Sequence, residues 1–278
     1  KHGITKTISF HKTINRAEYF ASILPKTASA SPNRERLATD IWAKHVSGKM
    51  SSGDRVDILN DFESVSDQPA ILANAKCLGE GVDVPSIDGV AFIDPKRSQI
   101  DIVQAVGRAI RKSDEDKIGT IILPVFIDPK EDPEEIVEAS DFKDVWAVVK
   151  DLRDHDAALG ETIDSLRGDL GRDISIIGRR PDKIVFDLPS DVTPAFVSAF
   201  ETRLVEMTSP DFYFGLGVLQ KFVQRKGHAR VPQGHKEGAL NLGTWVQSRR
   251  AEYRESKLAQ ERIGELEALP GWTWNIRT

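Results

Sequence analysis

Between residues 5 and 127 the chain alternates short apolar runs with segments of helical period about five times. No other feature constrains the fold as strongly. Residues 5–10, 40–46, 69–74, 89–93 and 120–127 read as strands. Most of these runs lack a polar alternation, as strands covered on both faces do. The segments between them carry helix signals. Residues 12–24 place Ile14, Ala17, Phe20 and Leu24 on one face, and Pro25 marks the expected stop. Ser51 with Asp54 reads as a capping box for a helix to Phe62, with Val56, Leu59 and Phe62 inward. Ser98 with Asp101 opens another. Strand and helix in strict alternation make an α/β domain, a parallel sheet with helices on both faces.

The last of those helices contains Gln104-Ala105-Val106-Gly107-Arg108-Ala109-Ile110-Arg111, of the form Q-x-x-G-R-x-x-R. Its spacing puts Gln104, Arg108 and Arg111 on one helix face. Two guanidiniums held on one face suit a polyanion, above all nucleotide phosphates, and Gly107 allows close approach. A plain solvated charged face is the alternative. After the strand at 69–74 comes Lys76-Cys77-Leu78-Gly79-Glu80-Gly81-Val82-Asp83-Val84-Pro85. Glycines and an aspartate at a strand's carboxyl end mark where open α/β sheets bind ligands. Asp83 alone also reads as a turn or cap residue, and Cys77 as a small buried hydrophobe. Gly48-Lys49 is not part of a phosphate loop, since the G-x-x-x-x-G-K-[ST] pattern occurs nowhere in the chain.

Beyond residue 128 the character changes. Residues 129–170 hold 13 Asp/Glu against 5 Lys/Arg, and 129–135 read as an acidic linker. Phe142, Val145, Trp146, Val149 and Leu152 make a helical stripe, and residues from 151 onward read as helix surface and connector. Asp154-His155-Asp156 does not share one helix face, so no metal is expected there. Residues 174–177 and 183–188 read as short strands turning at Arg179-Arg180-Pro181, and 194–207 as a helix with Phe196, Phe200 and Leu204 inward. Residues 209–278 differ again, with 11 Lys/Arg against 7 Asp/Glu. Three helices are expected there, with Trp245, Trp272 and Trp274 in a small core. Arg249 and Arg250 are expected exposed on the second, as phosphate contacts or as a solvated face. The local positive balance permits nucleic-acid contact.

A single cysteine excludes an internal disulfide and fits a reducing compartment, the cytoplasm. No run of about 18 apolar residues spans a membrane, and no signal-peptide pattern opens the chain. The chain starts at Lys1 without a methionine and enters a strand almost at once, which reads as a piece of a longer protein.

Residues 104–111 resemble motif VI of superfamily 2 helicases, and residues 74–85, with Gly81-Val82-Asp83-Val84-Pro85, resemble motif V. Thr7 to His11 is similar to the motif IV region. Order and spacing resemble the second, C-terminal RecA-like domain of those enzymes. The tail resembles the helicase-associated domain, through Phe212, Gly227-His228, Val231-Pro232, Leu242-Gly243-x-Trp245, Arg249-Arg250 and Gly271-Trp272-x-Trp274.

The resemblance implies a RecA-like parallel sheet with helices on both faces over 1–128 and a small three-helix domain over 209–278; between them, 129–208 read as an acidic helical linker and short-strand region. It implies a C-terminal part of an ATP-dependent nucleic-acid helicase or translocase. Arg108 and Arg111 would act as arginine fingers on ATP, with Gln104 coupling the nucleotide site to this domain. Gly81 and Asp83 would face the nucleotide, and Lys76, Arg249 and Arg250 the nucleic acid, DNA favoured over RNA. ATP and Mg2+ would be held mainly by an N-terminal RecA-like domain, because this chain has no Walker A lysine and no Asp-Glu box on a strand; Asp114-Glu115-Asp116-Lys117 follows a helix. The chain alone is then expected to be inactive. A non-catalytic nucleic-acid binding module and a structural protein docking through its acidic region are the alternatives.

Overall fold

The computed structural model describes residues 4–30, 40–75, 87–94, 120–125, 132–138, 142–185 and 192–275. They fall into two units, residues 1–127 with 140–151, and residues 128–139 with 152–278.

In the first unit, strands β1 (Lys6–Phe10), β2 (Trp42–Ser47), β3 (Ala70–Ala75), β4 (Gly89–Phe92) and β5 (Thr120–Ile122) form one sheet in the order β2-β3-β1-β4-β5. Every pairing is parallel, with Ile8 opposite both Leu72 and Val90. The centre is buried on both faces, with Thr7, Ile8 and Ser9 of β1 and all of β4 covered. That explains why these strands read as runs. Asp88 ties the entry to β1, its Oδ2 accepting from the backbone N–H groups of Thr5 and Lys6 at 3.0 and 3.1 Å.

Helix α1 (Ile14–Ala30) lays Ala17 and Ala21 against Ala73 and Ala75, where small side chains allow close approach. It does not stop at Pro25, which lies inside it. Proline removes one backbone donor, but Ala28 continues the buried face and the Ser29 hydroxyl donates to the Pro25 carbonyl at 2.9 Å. Helix α2 (Ser52–Ser64) starts on the expected cap: Ser51 Oγ accepts from the Asp54 N–H at 3.1 Å. Phe62 is fully buried beside Trp42, but Val56 is 53% exposed, so the inner face is narrower than the expected stripe.

The second unit is helical. It contains α3 (Pro133–Glu138), the end of α4 (Phe142–His155), α5 (Ala157–Gly171), α6 (Pro194–Thr208), α7 (Asp211–Lys226), α8 (Leu242–Arg254) and α9 (Gln260–Glu267). Helix α5 lies in the stretch that reads as helix surface and connector, but one of its faces is buried. Asp156 caps it through the Leu159 N–H at 3.1 Å, and Ile163, Asp164, Arg167 and Asp169 are buried along it. Its buried charges are paired: Asp164 with Arg153 at 2.7 Å and with the Ser209 hydroxyl at 2.7 Å, Arg167 with Asp211 at 3.0 Å, Asp169 with Arg172 and Arg179. A buried face made partly of ion pairs has weak apolar periodicity, which is why the sequence reads as surface.

Residues 174–177 are not a strand. Only Ile176 is buried, while Ile177 is 65% exposed, and the turn is held by the Gly178 N–H donating to Glu201 Oε2 at 2.7 Å. Residues 183–185 are not in a strand either, and 186–188 lie outside the described residues. Helices α5 and α7 approach backbone to backbone through Gly168, Gly171 and Gly217. The three helices expected in the tail are present as α7, α8 and α9, around Phe212, Leu216, Leu219, Val246, Leu266 and Trp272. The Trp245 indole packs against Gly215, where a Cβ would stand 2.2 Å from it. Gly227 ends α7 in the left-handed conformation at φ 77°.

Candidate functional site

The strand order fixes where a ligand site belongs. The connection from β1 leads toward β2 on one side, and that from β4 leads toward β5 on the other. Neighbouring strands whose connections diverge leave a crevice at their carboxyl ends. The segment with Lys76, Gly81 and Asp83 follows directly on β3, and that with Gln104, Arg108 and Arg111 follows β4. All six residues lie outside the described residues. The strands they follow, β3 and β4, sit on either side of β1 and run parallel to it, so the three carboxyl ends lie at the same end of the sheet.

At that edge the described residues form a polar cluster. His11, just past β1, is buried, its ring Nε2 3.0 Å from Ser9 Oγ and its backbone N–H donating to the Asn74 carbonyl at 3.0 Å. Its ring lies 4.8 Å from that of Phe20. Asp94, just past β4, accepts from the Lys12 N–H at 3.3 Å and pairs with Arg16 of α1. Burial pushes the His11 imidazole below its ordinary value; the Asp94 carboxylate pulls it up and the Arg16 guanidinium pushes it down. A neutral imidazole exchanges one hydrogen bond with Ser9 and carries no charge into the crevice. The sequence reading included His11 in its motif IV stretch without giving it a role, and missed Arg16 and Asp94. Their contact spans 78 positions, and no local pattern signals it.

In the tail the expectation of exposed Arg249 and Arg250 is overturned. Arg250 is 6% exposed; its Nε donates to the Thr273 carbonyl at 2.9 Å and its guanidinium lies 5.3 Å from the Trp272 ring centre. Burial lowers its pKa from the ordinary arginine value. Arg249 is largely covered, paired with Glu252 at 2.5 Å and set 5.3 Å from the Trp245 ring centre. The aromatic faces that helical spacing places beside these arginines draw the guanidiniums inward. Exposed charge lies instead on Lys226, Arg230, Lys236 and Arg254, which form no ion pair among the described residues. Arg225 is exposed but pairs with Glu237, which also takes His235 at 2.7 Å.

Tyr213 is held by Glu261, which accepts from its hydroxyl at 3.2 Å, and by Arg262, 5.8 Å from its ring centre. Burial first, then the charges of Asp164 and Glu261, push its phenol up to about 12. Asp154 pairs with Arg153 and Asp156 caps α5, so both carboxylates have structural partners. Among the described residues no three His, Cys, Asp or Glu side chains are grouped to hold a metal, and no helix is long and apolar enough to cross a membrane.

Residues 1–113 match the helicase conserved C-terminal domain family, and residues 211–275 match the helicase associated domain family. The fold is similar to that of the ATP-dependent Type ISP restriction-modification enzyme LlaBIII bound to DNA, with a TM-score of 0.57 and 21% identity over 95% of this chain. A probable helicase of African swine fever virus (isolate Pig/Kenya/KEN-50/1950) is 37% identical over 62 residues, 22% of this chain. The chain spans 20% of the restriction enzyme and 7% of the viral protein. The part of the chain that holds the all-parallel sheet is thus similar to the helicase C-terminal domain family, and the helical tail to the helicase associated domain family.

Proposed function

We propose that this chain supplies the second RecA-like half of an ATP-dependent DNA helicase or translocase, together with a helical module that grips the strand. The match of residues 1–113 to the helicase C-terminal family carries the reading. In it, Arg108 and Arg111 reach the γ-phosphate of an ATP presented by another RecA-like domain and stabilise charge in its transfer to water. Gln104 couples that contact to the sheet, Gly81 and Asp83 border the nucleotide, and Lys76 faces the nucleic-acid backbone. The sequence has no Walker A lysine, and the reading therefore assigns Mg2+ and the phosphate cradle mainly to the other domain. DNA is preferred over RNA because the restriction enzyme of similar fold is bound to DNA.

Backbone contact in the tail falls to exposed Lys226, Arg230 and Arg254 in place of the buried arginines of α8. Binding of single-stranded DNA by the chain across a range of salt concentrations tests this part. Replacing the three cations by alanine is expected to weaken binding and to lower the slope of log affinity against log salt by about 0.7 per lost contact. An unchanged affinity and slope would contradict it.

A further inference from the structure

Three rings form a graded column at the end of the second unit. Trp272 is buried in the core, and Trp274 meets it edge-on, with ring centres 5.2 Å apart and planes at 85°. Tyr253, near the end of α8, lies flat on Trp274, with ring centres 4.0 Å apart and planes at 10°. Tyr253 is 38% exposed, so the column ends on a ring open to solvent. The column is held from below. The Trp274 Nε1–H donates to Glu267 Oε1 at 2.7 Å, and Arg250 ties α8 to Thr273, between the two tryptophans.

A parallel pair of rings with one free face extends by accepting another flat ring, and a held platform loses little entropy in doing so. The surroundings select an anionic carrier for that ring. Arg254 follows Tyr253, exposed and without an ion pair among the described residues, and residues 209–278 carry 11 Lys/Arg against 7 Asp/Glu. In a duplex the base faces are already stacked on one another, so an unpaired strand fits best.

We propose that Tyr253, backed by Trp274, is a stacking platform for one base of single-stranded nucleic acid. The proposal rests on the reading that the tail contacts nucleic acid, and adds a base contact to its backbone contacts.

The test is titration of a fluorescein-labelled oligo-dT of about twenty nucleotides with the 278-residue chain. Tyr253→Ala is expected to weaken binding roughly five- to a hundredfold. The salt dependence stays unchanged, because no phosphate contact is lost. Tyr253→Phe, which keeps the ring, is expected to bind as the unaltered chain does. Equal binding by Tyr253→Ala overturns the platform, and so does a loss with Tyr253→Phe as large as that with Tyr253→Ala. An equal loss on a blunt duplex overturns it too. If the unaltered chain binds no single strand at low salt, both the platform and the reading beneath it fall; if it binds and only the Tyr253 outcomes fail, the platform alone falls.

Discussion

Gly217 of α7 rests on the carbonyl of Gly168 in α5, so closely that a Cβ at 217 would stand 2.1 Å from that oxygen. The contact is backbone against backbone, so no side chain can turn aside to relieve it. Gly217→Ala is expected to destabilise the second unit by about 3 kcal/mol or more, since overpacking a close-fitted site forces the helices apart. Gly168→Ala is the control: its Cβ would meet nothing closer than Arg172 Nη1 at 3.5 Å. That change is expected to be neutral or to stabilise by up to about 1 kcal/mol, through helix propensity. Urea unfolding of both variants checks the pair, and equal effects would contradict the packing described.

Arg250 is predicted to matter for folding and not for direct phosphate contact. Arg250→Ala removes a charge-assisted hydrogen bond to Thr273 and a guanidinium from the face of Trp272. A loss of about 2–4 kcal/mol is expected, with Arg250→Lys recovering only part, because ammonium lacks the planar face. Thermal unfolding measures it. A fully stable Arg250→Ala protein with weakened DNA binding would restore the solvated-arginine reading.

His11 gives the first unit a pH dependence. Burial holds its folded pKa below the ordinary 6.5, so the fold favours the neutral ring. Its contribution to stability is complete above about pH 6.5 and is lost as pH falls through the lower folded value. The ring resonances followed by NMR are expected to titrate below 6.5. Asp94→Asn should move the midpoint further down, because that carboxylate pulls it up, and Arg16→Ala should move it up. A midpoint at or above the ordinary value would contradict the buried placement.

Much of this architecture can be read from residues alone, for physical reasons that also explain the failures. Ile8, Leu72 and Val90 lie at the buried centre of a parallel sheet, so their strands stand out as short apolar runs. The Ser51 cap is legible because both of its partners lie within one turn. Helix α5 was hidden because Asp164, Arg167 and Asp169 occupy its buried face, and their partners lie at remote positions such as Asp211. Pro25 misled because it costs a helix one bond but does not end one whose buried face continues to Ala28. The order of motif-like segments pointed to the sheet edge now occupied by His11, but the His11, Arg16 and Asp94 cluster is a product of strand order. Arg249 and Arg250 were misplaced because sequence marks their charge and not the indole faces that cover it.

In the proposed function, Arg108 and Arg111 complete a nucleotide site that this chain does not itself begin. ATP hydrolysis by the purified 278-residue chain, with Mg2+ and single-stranded DNA, tests it most directly. No turnover above background is expected. Sustained DNA-stimulated hydrolysis by the pure chain, abolished by Arg108→Ala, would contradict it.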